Sequence, residues 1–203
     1  MNLNLTASQK SALLEAGNIG SGHAAIALSQ IMGRRIMIAM PSIEICQSNS
    51  LNEDVFGGSK ELVQVAMQVK GDARGAMVFI MDSKMCFCLC DLVTGHENGT
   101  TKDLGDYERS AVTEVGNILS ASYLNAISEL TRLTLLLSAP DLSIGEAGLL
   151  SDFLRANIAD IGDVKDVICV KTEFLQMDVR VEGYLLFLPD YGSVEKILSA
   201  MSV

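Results

Sequence analysis

Ser11-Ala-Leu-Leu-Glu15-Ala-Gly-Asn18 and Ser110-Ala-Val-Thr-Glu114-Val-Gly-Asn117 are one motif written twice. Sliding the chain 99 positions along itself superimposes Ser11 on Ser110, Glu15 on Glu114, Gly17 on Gly116 and Asn18 on Asn117. The same shift carries Pro41 onto Pro140, so in each copy 22 residues separate the Asn from the Pro. Over residues 11–45 this single offset gives eleven identities, several of them polar residues that a core does not demand. An internal repeat of this length dictates the architecture, because the two copies must build similar units.

The repeat also shows which face of its helix matters. At roughly 100° per residue, Leu13, Ala16, Gly20, Ala24, Ala27 and Ile31 share one narrow arc, as do Val112, Val115, Leu119, Tyr123, Ala126 and Leu130. That arc is the buried stripe of an amphipathic helix. Ser11, Glu15, Asn18, Gly22 and Ser29 lie opposite it, so Glu and Asn, at i and i+3, are neighbours on the outer face. Their surroundings are small in both copies, where a solvated helix carries Lys, Glu, Gln and Arg. Gly17, Gly20 and Gly22 each cost about 1 kcal/mol relative to Ala in a helix. Close approach of another surface is a reason to accept that cost. Each helix therefore reads as a landing strip with one carboxylate and one carboxamide.

Composition bounds the rest. A chain of 203 residues, 49% hydrophobic, with no Trp and three Pro, has the profile of a packed fold. A formal net charge of −10 argues against a nucleic-acid partner, whose usual footprint is a basic patch. No apolar run reaches the roughly 18 residues of a membrane span, and Met1-Asn-Leu-Asn-Leu-Thr6 lacks the pattern of a signal peptide, so a cytoplasmic location is expected. Of the five Cys, three alternate in Met85-Cys-Phe-Cys-Leu-Cys90, while Cys46 and Cys169 stand alone. Without a CxxC pair or a nearby His they read as reduced, structural thiols.

Thr6-Ala-Ser-Gln9 has capping-box spacing and opens a helix running to about Met32, before Gly33. Strands are expected at Arg34–Met40, interrupted or ended by Pro41, at Glu61–Val69 and at Gly75–Met81, with a hairpin turn at Gly71-Asp72. Gln47–Lys60 reads as a loop, and Ser83–Thr94 as a short helix closed by Gly95. After a polar joint, His96–Gly105, the order recurs. A helix runs from about Asp106 to Leu130, and a strand from Leu133 to Leu137 leads to Pro140. A variable segment, Gly145–Asp163, follows with a short helix near Asp152–Ala159. Strands at Asp166–Phe174 and Val179–Leu188 come next, and the last helix starts near Ser193. Gly75–Asp82 resembles Gly183–Asp190 at an offset of 108, nine residues more than the first offset. The expected fold is α/β of the α+β type. It is a single domain over residues 1–203 in which two helix-strand-strand-strand-helix repeats, about 6–95 and 104–203, are related by a pseudo-two-fold axis. The sheet lies inside and the two long motif-bearing helices lie outside.

The catalytic inventory is thin. There are two His, with His23 among small residues and His96 in the joint, and no nucleophile elbow, P-loop or metal-ligand spacing. Gly20-Ser-Gly22 lies within a helix rather than after a strand, so it is not a phosphate loop. Asp141, next to Pro140, faces Ser42 in the other copy and has no repeated partner. An Asn takes no proton at neutral pH, but its carboxamide can hold a water. Holding a water suffices when the bond to be broken is already activated, as in an aspartyl phosphate. In P-loop GTPases a Gln carboxamide orients the attacking water in the same way.

The doubled Ser-x-x-x-Glu-x-x-Asn with its later Pro resembles the CheC/CheX/FliY family of chemotaxis phosphatases, over nearly the whole chain. Two complete motifs match the CheC branch, since CheX-like proteins keep one. FliY-like proteins carry a further flagellar-switch domain, for which no room is expected here. The resemblance implies dephosphorylation of the phosphorylated response regulator CheY. By it, Asn18 and Asn117 orient the attacking water, and Glu15 and Glu114 pair with an invariant Lys of the receiver. Ser11 and Ser110 accompany them at the binding surface, and Pro41 and Pro140 shape the rim of each site, although plain strand termination explains the prolines as well. No cofactor of the chain's own is implied, and Mg²⁺ belongs to the receiver. The deamidase CheD is implied as a partner. The alternative is a non-catalytic adaptor that binds CheD or the receiver and regulates receptor deamidation, but an adaptor has no need to keep the carboxamide twice.

Overall fold

The computed structural model describes residues 5–39, 41–47, 61–146, 166–176 and 179–201. Helix α1 (Ala7–Met32) starts at the expected capping box: Thr6 N–H donates to Gln9 Oε1 at 2.9 Å, and Gln9 N–H donates to Thr6 Oγ1 at 3.2 Å. It ends at Gly33, whose φ of 63° is the left-handed conformation that halts a helix. Strands β1 (Met37–Ile38), β2 (Ser42–Gln47), β3 (Glu61–Gly71) and β4 (Gly75–Asp82) and helix α2 (Ser83–Thr94) follow among the described residues of the first half. The second half repeats it with α3 (Asp106–Thr131), β5 (Leu135–Leu137), β6 (Asp141–Glu146), β7 (Asp166–Gln176), β8 (Val179–Pro189) and α4 (Tyr191–Ala200). Asp82 and Asp190, equivalent at the offset of 108, cap α2 and α4 by accepting from Met85 N–H and Ser193 N–H. That cap opens α4 at Tyr191, two residues earlier than Ser193 suggested.

The first strand of each half departs from expectation. Arg34–Met40 is reduced to the two residues of β1, and after Pro41 the chain re-enters the sheet as β2, in a stretch whose pairing was not foreseen. The second half does the same, with β5 before Pro140 and β6 after it. Proline is tolerated here because both broken strands lie at sheet edges, where a missing N–H interrupts pairing on one side alone. Residues 48–60 of the expected loop, and the short helix expected near Asp152–Ala159, lie outside the described residues.

The eight strands among the described residues join one antiparallel sheet in the order β1-β7-β8-β4-β3-β5, with β2 also on β7 and β6 also on β3. Each half thus gives its broken strand to the other half: Ile43 pairs with Val170, and Leu142 with Val65. At the centre, β4 pairs with β8 and Val78 lies opposite Leu186. Those two are repeat equivalents, since 78 plus 108 is 186, so the pseudo-two-fold axis passes through this pair.

The helices cover one face of the sheet. Val63, Val65, Met67, Met77, Phe79, Val170, Phe174, Val181, Leu185 and Phe187 meet Leu13, Ala24, Leu28, Val112, Val115, Leu119 and Tyr123 in one buried core. Phe79 and Phe174 pack edge to face at 6.1 Å between ring centroids. Helices α1 and α3 cross where Gly20 meets Tyr123: a Cβ at Gly20 would stand 2.9 Å from the Tyr123 Cα. Burial pushes the Tyr123 phenol up to about 12. The expected buried stripe holds from Leu13 to Ala24, but Ile31 is 63% exposed, at the end of the helix.

Candidate functional site

Both motif helices turn the expected face outward. Ser11, Glu15, Asn18 and Gly22 are exposed on α1; Ser110 and Glu114 are exposed on α3, and Asn117 is half-buried. Among the described residues, no hydrogen bond or ion pair engages the side chain of Glu15, Asn18, Glu114 or Asn117. Ser21 Oγ donates to the carbonyl of Asn18 at 3.0 Å, a backbone contact that leaves the carboxamide unengaged. Each Glu–Asn pair is therefore an acceptor-only carboxylate beside a carboxamide that can both donate and accept.

The helix positions beneath each Asn are set by glycine. A Cβ at Gly17 would lie 2.9 Å from Ile43 Cδ1 and 3.2 Å from Pro41 Cγ. At Gly116 it would lie 2.8 Å from Val65 Cβ. The close approach expected of these glycines is thus internal at Gly17, Gly20 and Gly116, where sheet or partner helix presses on the backbone. Gly22 differs, for a Cβ there would meet nothing within 4 Å. Of the α1 glycines the sequence singled out, it alone leaves bare backbone on the outer face.

Pro41 is buried against α1 one residue from Asn18, and Pro140 is half-buried between β5 and β6. Pro41 packs beneath α1 beside Gly17. Ser29 also departs from expectation. Although it shares the outer arc, it is half-buried; its hydroxyl accepts from Ile36 N–H at 2.9 Å and donates to Ala25 O at 2.7 Å. Its equivalent, Ser128, donates to the Leu133 carbonyl. This repeated serine ties each long helix to the turn that leads into the next strand, so the landing strip ends before it.

One polar anchor was not foreseen. Asp91 of α2 is 1% exposed and folds the joint between the halves. Its Oδ2 accepts from Gly99 N–H (2.7 Å) and Thr100 N–H (3.0 Å), and its Oδ1 from Thr101 N–H (2.9 Å) and Thr101 Oγ1 (2.6 Å). Burial by itself raises this carboxyl, but the bonds from Thr101, Gly99 and Thr100 together hold it below the usual carboxylate range. The available signal was an acid inside the apolar run Met85–Val93. Near it, Cys86 and Cys90 are buried and Cys88 is half-buried, all three as free thiols. The Cys86 thiol is pushed up first by its hydrogen bond with Cys90 and then by burial.

Among the described residues no helix is long and apolar enough to cross a membrane. No group of three or more His, Cys, Asp or Glu is placed to hold a metal ion among them.

Fold and site together define a pseudo-symmetric scaffold that presents two outward Glu–Asn pairs on paired helices over one sheet. A family described as CheC-like matches residues 9–45 and 108–144, which are the two motif helices with the strands that follow them. The chain is 31% identical over 196 residues to the CheY-P phosphatase CheC of Bacillus subtilis (strain 168), covering 95% of this chain and 93% of that one. The chain belongs to the CheC-like family. Among solved structures, FliY of Thermotoga maritima is similar at a TM-score of 0.79 and 27% identity, covering 98% of both chains. The FliM middle domain from H. pylori shares the fold at a TM-score of 0.66 and 15% identity, covering 97% of this chain and 99% of that one.

Proposed function

We propose that this protein is a chemotaxis phosphatase that hydrolyses the aspartyl phosphate of the response regulator CheY. The observation that carries the reading is the doubled, outward and unengaged Glu–Asn pair on α1 and α3. Its kinship with a CheY-P phosphatase supplies the substrate. In the proposed step the Asn18 or Asn117 carboxamide holds a water in line with the phosphorus. The water oxygen bonds to phosphorus as the bond to the receiver's aspartyl oxygen breaks, the pair of electrons leaves with the carboxylate, and the water's proton passes to solvent or phosphate. Positioning supplies the rate, since the acyl phosphate is already activated. Glu15 and Glu114 seat the helix by pairing with a receiver Lys, and Mg²⁺ is the receiver's own. Ser11 and Ser110, one turn before each Glu, face the same docking surface. The deamidase CheD as a further partner rests on the family resemblance alone.

The test is release of phosphate from phosphorylated CheY by the wild type and by Asn18→Ala/Asn117→Ala. Acceleration that the double variant loses while its circular dichroism is unchanged is the expected result. No acceleration by the wild type, with receiver binding intact, would replace the phosphatase with the adaptor.

A further inference from the structure

Besides Ile31 at its end, α1 exposes two large apolar side chains. Leu14 is 43% exposed and Ile26 is 59% exposed. Single exposed apolar residues are ordinary, but these two share the arc of the motif. At about 100° per residue, Leu14 lies some 40° to one side of Asn18 and Ile26 some 80° to the other, with Ser11, Gly22 and Glu15 between them. The two are about 18 Å apart along the axis, at 1.5 Å per residue, so they bracket the Glu–Asn pair. A surface that lies along this arc over that length covers them too.

The repeat supplies an internal comparison. At the offset of 99, Leu14 becomes Thr113 and Ile26 becomes Asn125. Thr113 turns its hydroxyl inward to the Arg109 carbonyl at 2.7 Å, and Asn125 is exposed. The chemical pair is kept in both copies, while apolar side chains on both sides of it are present in one; α3 exposes Tyr107 near its start, N-terminal of its pair, and nothing apolar at Thr113 or Asn125.

We infer that the two sites are unequal in docking, with Leu14 and Ile26 making the α1 face the tighter seat for the phosphorylated receiver. This rests on the phosphatase reading. Glu15 and Asn18 supply charge and water positioning, which the α3 site matches with Glu114 and Asn117. The Leu14–Ile26 area removed from water adds affinity at α1, whereas α3 offers in its place the single exposed Tyr107, about 15 Å N-terminal of Asn117. Because it is buried equally before and during the reaction, it acts on KM far more than on kcat.

The experiment uses single-site proteins. Asn117→Ala leaves the α1 site, and Asn18→Ala leaves the α3 site. Adding Leu14→Thr/Ile26→Asn to the Asn117→Ala protein is expected to raise KM for phosphorylated CheY about tenfold with kcat changed far less. The reverse graft, Thr113→Leu/Asn125→Ile in the Asn18→Ala protein, is expected to lower KM. An unchanged KM in the first variant, with circular dichroism intact, overturns the inference and leaves the phosphatase reading standing. Should neither single-site protein release phosphate, the phosphatase reading fails. The docking claim is then decided by binding of beryllofluoride-activated CheY to wild type and to Leu14→Thr/Ile26→Asn, where equal affinity overturns it and weaker binding by the variant supports it.

Discussion

Gly17 and Ile43 stand so close that a methyl group on the first would sit 2.9 Å from Cδ1 of the second. Helix α1 therefore lies directly on β2, and the height of Asn18 above the sheet is set by the residue before it.

Gly17→Ala is expected to destabilise the protein. Overpacking costs typically about 1–3 kcal/mol, and better helix propensity returns about 1 kcal/mol. Gly116→Ala should cost more, because the crowding atom there is Val65 Cβ at 2.8 Å, fixed to the β3 backbone, whereas Ile43 Cδ1 is the free end of a side chain. Urea midpoints of the two variants check this order.

Gly22→Ala should act in the opposite direction. Nothing lies within 4 Å of its added Cβ, so the helix gains about 1 kcal/mol without a clash. The equivalent position already holds Ala121, so phosphatase activity should survive. A fall in Tm would refute the claim that this glycine answers to no internal contact.

Replacing Glu15 or Glu114 by Gln should weaken receiver docking and flatten its salt dependence, with little change in kcat. Rim charges act mainly on association and its ionic-strength dependence. We expect KM to rise roughly three- to tenfold at low salt for the affected site, with the gap to wild type narrowing as salt is added. Single-site proteins assayed across a salt series give the answer.

Asp91→Asn should loosen the joint and cost about 2–3 kcal/mol, as hydrogen bonds to a buried charge are worth more than neutral ones. The Asp91 carboxyl is held below its unfolded value, so its contribution is complete above about pH 4 and is lost as pH falls through the folded value. The stability gap between wild type and variant should therefore be full at pH 7 and shrink in acid. Denaturation curves at pH 7 and pH 3 measure it.

Much of this was legible because local chemistry decides it. The capping box at Thr6, and Gly33 and Gly95 as helix stops, act within one turn, and each appears where its residues place it. The Asp82 and Asp190 caps are equally local but were not read, and the missed cap at Asp190 put the start of the last helix two residues late. The outward Glu–Asn face followed from periodicity and repetition. What else escaped was decided at long range. Pro41 and Pro140 look like strand ends, yet the strand resumes beyond each because an edge position tolerates them. Nothing in the local pattern of Ile43 or Leu142 says that its partner lies in the other half. Ser29 misled for the converse reason: it is repeated, polar and on the outer arc, but its repetition serves a turn.

The exchange of edge strands bears on ancestry and assembly. A residue facing its own counterpart, as Val78 faces Leu186, is the signature of an isologous contact at the axis of a homodimer. Here the two equivalent halves belong to one chain, and the joint His96–Gly105 is the tether that keeps their mutual concentration high. A half-length chain would leave β3 or β7 without its edge partner and its helices without their crossing. Cut at the joint, the halves should remain associated as a heterodimer, and either one alone should seek a second copy of itself.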